Sequence, residues 1–315
     1  MKKTESSRSP TTILSQPSGV KPTSGLWQAV KKNRWAYAFI APFYLMFIIL
    51  GLFPIAFSLY LSFQDWDGYR PMQFVGLNNY SYLFSKGGQL FWQSLQNSFI
   101  LILMYVPLIT VLALVVAALL NSPRVKGFRT YRMLIFAPFV TSTIVAGFVF
   151  QLLLGTEGLF NTVLRAFGLP GIPWLDTVWG ARISLSMVVI WGGLGYNVII
   201  MLSGLQTIPR ELNEAALIDG AGPVRSFLYV TVPLMRPIIL FSTVFSVVGA
   251  FALFDAVVAL GRGPLRANVT PLVQIFDVAF GQFEYGRASA QAYVYFLIIF
   301  VLTALQFRLL GRDNG

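Results

Sequence analysis

The sequence predicts an all-α membrane protein with six transmembrane helices, and three observations carry that prediction. Of 315 residues, 56% are hydrophobic and only 11% charged, with a mean hydropathy of +0.68. A soluble domain carries roughly 25% charged residues. The apolar residues gather into six runs, at about 36–63, 95–120, 133–154, 183–204, 238–259 and 288–309. Each exceeds the roughly 20 residues needed to cross a hydrocarbon core of about 30 Å. Finally, Lys and Arg outside the runs alternate in density: one set of segments holds sixteen basic against five acidic residues, the other seven against six.

The elements follow in order. Residues 1–25 hold six Ser, four Thr, three Pro and two Gly, a composition that buries too little apolar surface to offset its ordering entropy and predicts a disordered tail. The basic start is followed by polar residues rather than a short apolar core with a small-residue cleavage pattern, so it is not read as a secretory signal. Residues 26–34, with Lys31, Lys32 and Arg34 beside Trp27, form a short amphipathic piece suited to a headgroup region. Helices are expected for all six runs because backbone groups in lipid must be satisfied internally. Pro42, Pro54, Pro107 and Pro138 fall in or at the ends of runs and predict kinks or turns. The denser basic segments are 1–34, 121–132, 205–237 and 308–315. The positive-inside rule therefore puts both termini in the cytoplasm. Anionic headgroups then account for the excess charge without nucleic acid.

Several kinds of chemistry are excluded by composition. With no Cys and no His, disulfides, Cys/His zinc sites, thiol nucleophiles and histidine bases are absent. No G-x-x-x-x-G-K-[ST] occurs, and the nearest glycine cluster, Gly261-Arg262-Gly263-Pro264, is a turn with a proline in it. A membrane-embedded enzyme would need paired polar groups within the runs, and none is found. Gly192-Gly193-Leu194-Gly195 lies mid-run, suited either to close helix packing or to a groove. Asp255 is the one ionisable residue read as lying inside a run; such a group is functional, or sits near a helix end where it is hydrated. One acid is little for a proton relay, which counts against the alternative of a stand-alone ion-coupled carrier.

The most informative stretch lies between the fourth and fifth runs, from Ile208 to Pro237. Pro209 suits the first turn of a helix and Glu211 its positive end. Gly220 suits a terminator with left-handed backbone. Pro223 can open a second helix, which Pro233 is expected to stop. Leu212, Ala215 and Ala216 make a small apolar face flanked by Glu214 and Asp219. This is either a knob for a soluble partner or a helix resting on lipid.

Glu214-Ala215-Ala216-x-x-Asp219-Gly220-Ala221, followed by Val230-Thr231-Val232-Pro233, resembles the EAA motif of ABC importer permeases. Phe74-Val75-Gly76-Leu77-Asn78-Asn79-Tyr80, Asn97-Ser98, Gly158-Leu159-Phe160-Asn161 and Trp191-Gly192-Gly193 are similar to the carbohydrate-uptake branch, specifically its MalF-like member. Val230 replaces the more common Ile. The resemblance covers residues 35–309 and implies a type I ABC importer permease fold. It implies 35–94 as first helix and outer loop, 95–309 as the permease core with its coupling loop at 207–237, and 310–315 as a cytoplasmic end. It further implies docking of Glu214, Ala215, Ala216, Asp219 and Gly220 on a cytoplasmic ATPase dimer that binds the ATP and Mg. This chain would then carry no cofactor, metal or catalytic residue. A second homologous permease, an extracytoplasmic sugar-binding protein and a sugar cargo complete the implied set, in a bacterial or archaeal inner membrane. Trp191, Gly193, Tyr196 and Asn197 in the fourth run, and Ser246, Gly249, Phe251, Phe254 and Asp255 in the fifth, are the implied pathway residues. Aromatic faces and hydrogen-bonding groups suit sugars, although helix packing explains each aromatic equally well.

Overall fold

The computed structural model describes residue 31, residues 33–122, residue 125 and residues 127–310. The tail expected at 1–25, most of the amphipathic piece 26–34 and residues 311–315 lie outside the described residues. The chain divides into two units, Met1–Ala56 and Phe57–Gly315, and the division falls inside the first helix. That helix, α1 (Arg34–Leu61), carries a π-helical segment over Phe47–Leu52. Pro54 follows closely and has no N–H to continue the ordinary ladder, a physical reason for the widened turn.

In the second unit a two-stranded antiparallel ribbon pairs β1 (Gln64–Asp65) with β2 (Gln73–Phe74), a small addition that an all-helical reading does not contain. Next come α2 (Asn78–Phe84), α3 (Gln89–Leu120), α4 (Phe128–Val140), α5 (Thr143–Leu154), α6 (Leu159–Ala166) and α7 (Val178–Leu205). They are followed by α8 (Arg210–Ile218), α9 (Pro223–Leu234), α10 (Arg236–Phe251), α11 (Asp255–Leu260), α12 (Pro271–Gly281) and α13 (Tyr285–Leu310). Among the described residues five helical stretches are long and apolar enough to span a bilayer, and six if α9 and α10, bent by 70° at Met235, count as one.

Two predicted runs are broken rather than continuous. The run at 133–154 is two helices, α4 and α5, separated by extended backbone at Thr141 and Ser142. The run at 238–259 ends as α10 at Phe251 and resumes as α11 at Asp255. Asp255 is the exposed first residue of this short helix, which matches the helix-end alternative left open by the sequence. The helix ends at Leu234, one residue past Pro233, and the chain bends by 70° at Met235, as the proline predicts within one residue. Pro107 is accommodated within the continuous α3.

The core is organised around α3, which packs on α7 through Ala113 and Ala117, both fully buried, against Val198, Met201 and Leu202. Small residues let backbones approach where lipid offers no hydrophobic drive for association. A second cluster joins α3 to α10 and α13 through Tyr105, Ile109, Val247, Phe251 and Tyr295. Two tyrosines satisfy carbonyls of α10 inside this cluster: Tyr105 donates to the Ser246 carbonyl at 2.7 Å, and Tyr295 to that of Phe251. Phe251 is the last residue of α10, so its carbonyl has no intrahelical partner.

Candidate functional site

The breaks open a cavity of about 330 Å³ between α3, the α4–α5 junction, α7 and α10. Six of the sequence-predicted pathway residues line it: Trp191, Gly193, Tyr196, Asn197, Ser246 and Gly249. Phe254 and Asp255 do not line it. Phe254 instead meets Phe276, ring centres 5.1 Å apart, and Phe251 is core, 1% exposed and edge-on to Phe99.

Helical periodicity explains the shared face. Gly192 and Tyr196 are four apart on α7, as are Gly193 and Asn197, and Ser246 and Gly249 are three apart on α10. The glycine cluster divides its roles by residue. A Cβ on Gly195 would stand 2.3 Å from the Ile135 carbonyl oxygen of α4, so this glycine is a packing position. A Cβ on Gly193 would press on Ile109 at 3.2 Å, whereas Gly192 and Gly249 face open space.

Aromatic rings close one side of the cavity. Tyr196 stacks on Phe139 of α4, centres 5.0 Å apart, and meets Phe245 of α10 at a tilt, 4.8 Å apart. Trp191 meets Phe150 edge-on at 5.6 Å. Asn197 is 4% exposed. Its Oδ1 accepts from Ser242 at 2.6 Å and Ser246 at 3.2 Å, and its Nδ2 donates to the Gly193 carbonyl. Asn197 therefore joins α7 to α10, and one amide hydrogen remains for anything in the cavity. Phe139, Phe245, Thr141, Thr143 and Tyr105 also line the space. Sequence reasoning missed them; the Thr141-Ser142-Thr143 triplet behind Pro138, polar inside an apolar run, was the available signal.

At the other predicted site, α8 and α9 meet at an angle through a complete Schellman turn. The Ala221 N–H donates to the Ala216 carbonyl and the Gly220 N–H to that of Leu217, with Gly220 at φ +80°. Pro209 caps α8 and Pro223 opens α9. Of the five predicted docking residues, Ala216 is buried while Glu214, Ala215, Asp219 and Gly220 are exposed. Ile218, 86% exposed, and Val224, 73%, stand beside them. An apolar rim next to carboxylates on a rigid turn is suited to protein docking.

The family model described as binding-protein-dependent transport system inner membrane component matches residues 95–312. The chain belongs to this family. It is an ABC importer permease of the inner membrane, working in a binding-protein-dependent system, and is not an enzyme. The stand-alone ion-coupled carrier weighed from sequence is set aside by this membership. The lactose transport system permease protein LacF of Rhizobium radiobacter is 34% identical over 281 residues, covering 87% of this chain and 93% of that protein. The arabinooligosaccharides transport system permease protein AraP of Bacillus subtilis is 30% identical over 311 residues, covering 96% and 97%. In fold, the permease resembles a chain from the crystal structure of a bacterial ABC transporter involved in import of the acidic polysaccharide alginate. The TM-score is 0.80 at 19% identity, over 93% of this chain and 100% of that one.

Proposed function

We propose that the permease carries a sugar across the membrane, forming the pathway with a second homologous permease and taking its power from a cytoplasmic ATPase dimer. The carrying observation is the lining of the cavity, which brings together the aromatic residues Trp191 and Tyr196, the threonines Thr141 and Thr143, and two glycines open to the space. Sugars offer C–H faces to aromatic rings and hydroxyls to polar groups. The names of LacF and AraP point the same way.

In this reading both termini are cytoplasmic, so the α8–α9 turn lies inside and the β1–β2 ribbon outside. Glu214, Ala215, Ala216, Asp219 and Gly220 form the docking element, with the ATP and Mg held by the ATPase alone. Closure of the ATPase dimer pushes on α8; α9 transmits the push to the 70° bend at Met235 and so to α10, one wall of the cavity. Trp191, Gly193, Tyr196, Asn197, Ser246 and Gly249 line the route, with Asn197 and Ser246 holding its walls together. Phe254 and Asp255 would reach cargo only in another conformation of the 252–254 break.

The test is uptake of lactose and arabinotriose into vesicles holding the reconstituted permease pair and ATPase, with the cognate binding protein outside. Accumulation should require ATP inside and survive collapse of the proton gradient. Uptake of neither sugar would overturn the cargo assignment, and uptake indifferent to ATP would overturn the coupling.

A further inference from the structure

A second cleft lies away from the cavity, between the β1–β2 ribbon and the start of α13, and encloses about 420 Å³. Its volume falls within the roughly 300–1,000 Å³ of small-molecule sites. Asp65, Trp66, Tyr69 and Arg70 line it from one side, and Gln282, Phe283, Glu284 and Arg287 from the other.

The cleft is rigidly built. Asn79, 7% exposed, donates through Nδ2 to the carbonyls of Ser62 and Gln64, and the Tyr285 N–H donates to that of Trp66 at 3.1 Å. Gly286 fits only as glycine, because a Cβ there would stand 1.9 Å from the Gln64 carbonyl oxygen. Trp66 rests on Tyr285 with ring centres 5.4 Å apart. Tyr69 leans on Phe283 at 6.1 Å while remaining 83% exposed. Phe283 holds φ +57°, a conformation costly for a bulky residue.

The charges are arranged in pairs. Arg70 Nε donates to Asp67 at 2.7 Å, and Arg287 donates to Glu284 while lying 4.1 Å over the Tyr82 ring. Asp67 is fully engaged: its Oδ1 also accepts from the Tyr69 and Arg70 N–H groups. Asp65, Gln282 and the second oxygen of Glu284 stay open to the cleft. Three carboxylates against two guanidiniums leave a net charge of only −1, with two of the carboxylates already paired to arginine. An anion would want excess cations and a metal ion would want converging carboxylates free of arginine. A neutral ligand rich in hydroxyls matches what is present: a Glu284 carboxylate held by Arg287, the open Asp65 and Gln282, and an exposed ring face beside them.

We propose that this cleft is an external saccharide-binding subsite, with Tyr69 the ring a sugar stacks on and Asp65 and Glu284 the hydroxyl acceptors. The inference rests on the sugar reading and on the orientation given above. It places a sugar on the permease before entry to the cavity, an arrangement that favours oligosaccharides long enough to be held outside as their leading residue enters.

The test is saturation-transfer NMR with arabinotriose on the complete permease–ATPase assembly in lipid nanodiscs, without binding protein. Gly249→Leu, which fills the cavity, isolates any signal from the cleft. Signal should persist in that background and fall about three- to tenfold on adding Tyr69→Ala or Asp65→Asn. Tyr69 is largely exposed, so its replacement spares the fold; a thermal midpoint equal to that of Gly249→Leu alone checks this. Signal unchanged by both additions overturns the subsite. So does absence of signal when the unmodified assembly takes up arabinotriose. If the two substitutions weaken only capture of the binding protein, the cleft is a protein-docking face and the proposal fails. If the unmodified assembly takes up no sugar with its binding protein, the cargo reading itself fails, and the uptake arm separates that result from failure of the cleft.

Discussion

Replacement of Gly220 tests whether the α8–α9 turn acts as a mechanical part. Gly220 sits at φ +80° with nothing within 4 Å of where a Cβ would stand, so a substitution there is free of clash and its cost is conformational alone. A residue with a Cβ pays roughly 1–2 kcal/mol to hold the left-handed region. Asn tolerates it and should pay least, Ala about 1 kcal/mol, and β-branched Val about 2 kcal/mol. Each 1.4 kcal/mol is tenfold. The equilibrium constant for presenting α8 in docking geometry should therefore fall about fivefold for Gly220→Ala and about thirtyfold for Gly220→Val, and the share presenting it falls in the same order. Because the strained turn lies at the proposed interface, the apparent affinity for the ATPase falls with that share. Titration of purified ATPase onto permease pairs in nanodiscs reads this directly, with ATP-driven uptake as the second measurement. The order Gly, Asn, Ala, Val is the signature. If Val and Asn bind ATPase equally, the turn's shape carries no docking energy and the reasoning is refuted, whatever happens to uptake.

Four further outcomes are expected. Gly192→Leu and Gly249→Leu, which meet open space, should abolish uptake in vesicles while leaving assembly with the ATPase and the thermal midpoint unchanged. Gly195→Ala should behave oppositely, its Cβ colliding with the Ile135 carbonyl; it should cost about 1–3 kcal/mol, read as a lower thermal midpoint in nanodiscs. Asn161, 1% exposed, donates to the carbonyls of Gly155, Thr156 and Ile172 and accepts from the Ile172 N–H and Trp174 Nε1. Asn161→Ala leaves these groups unpaired, at a cost of about 1–3 kcal/mol, and should speed amide exchange across residues 155–174. The backbone N–H of Arg70, its guanidinium and the Tyr69 N–H hold the Asp67 carboxyl well below the usual carboxylate range. The turn 67–70 therefore keeps its full stability above that usual range and loses it as pH falls toward the lowered value. Exchange of the Tyr69 and Arg70 amides should quicken on acidification, and Asp67→Asn should remove that pH dependence.

The sequence made some parts legible because their signals are local. Gly220 and Pro223 mark the α8–α9 turn through backbone conformations that few other residues accept, and the structure has both in the expected roles. Ser246 and Gly249, three residues apart on one helix, share a face by the period of 3.6 residues, whereas Trp191 and Tyr196 are grouped by the family resemblance rather than by spacing. The roles of Asn197 and the three glycines were not legible. They depend on which neighbour faces them: Ser242 and Ser246 across from Asn197, the Ile135 carbonyl against Gly195, empty space beside Gly192. The second cleft joins residues 65–70 to residues 282–287, a juxtaposition that no local pattern records.

The helix breaks carry a more general lesson about how such a protein is encoded. A hydropathy window of roughly 20 residues averages over two or three non-helical positions, so 133–154 and 238–259 each read as one run. Yet the interruption at Thr141 and Ser142 brings Thr141 and Thr143 to the cavity wall, and the one after Phe251 brings Leu253 there. Backbone left without its helical partners at membrane depth must be satisfied within the protein. The means are visible: Tyr295 serves the Phe251 carbonyl, Thr270 that of Leu253 at 2.6 Å, and Thr141 Oγ1 that of Ala137 at 3.2 Å. Each donor belongs to a residue type that hydropathy scales treat as merely less apolar. A polar hydroxyl inside or beside an apolar run is thus a mark of interrupted helix, and interruption is what opens the cavity. On that argument, replacing Thr270 with Val, which keeps shape and removes the donor, should loosen residues 252–254 and lower transport more than it lowers the thermal midpoint. An equal loss of both would show that the hydroxyl only supports the fold.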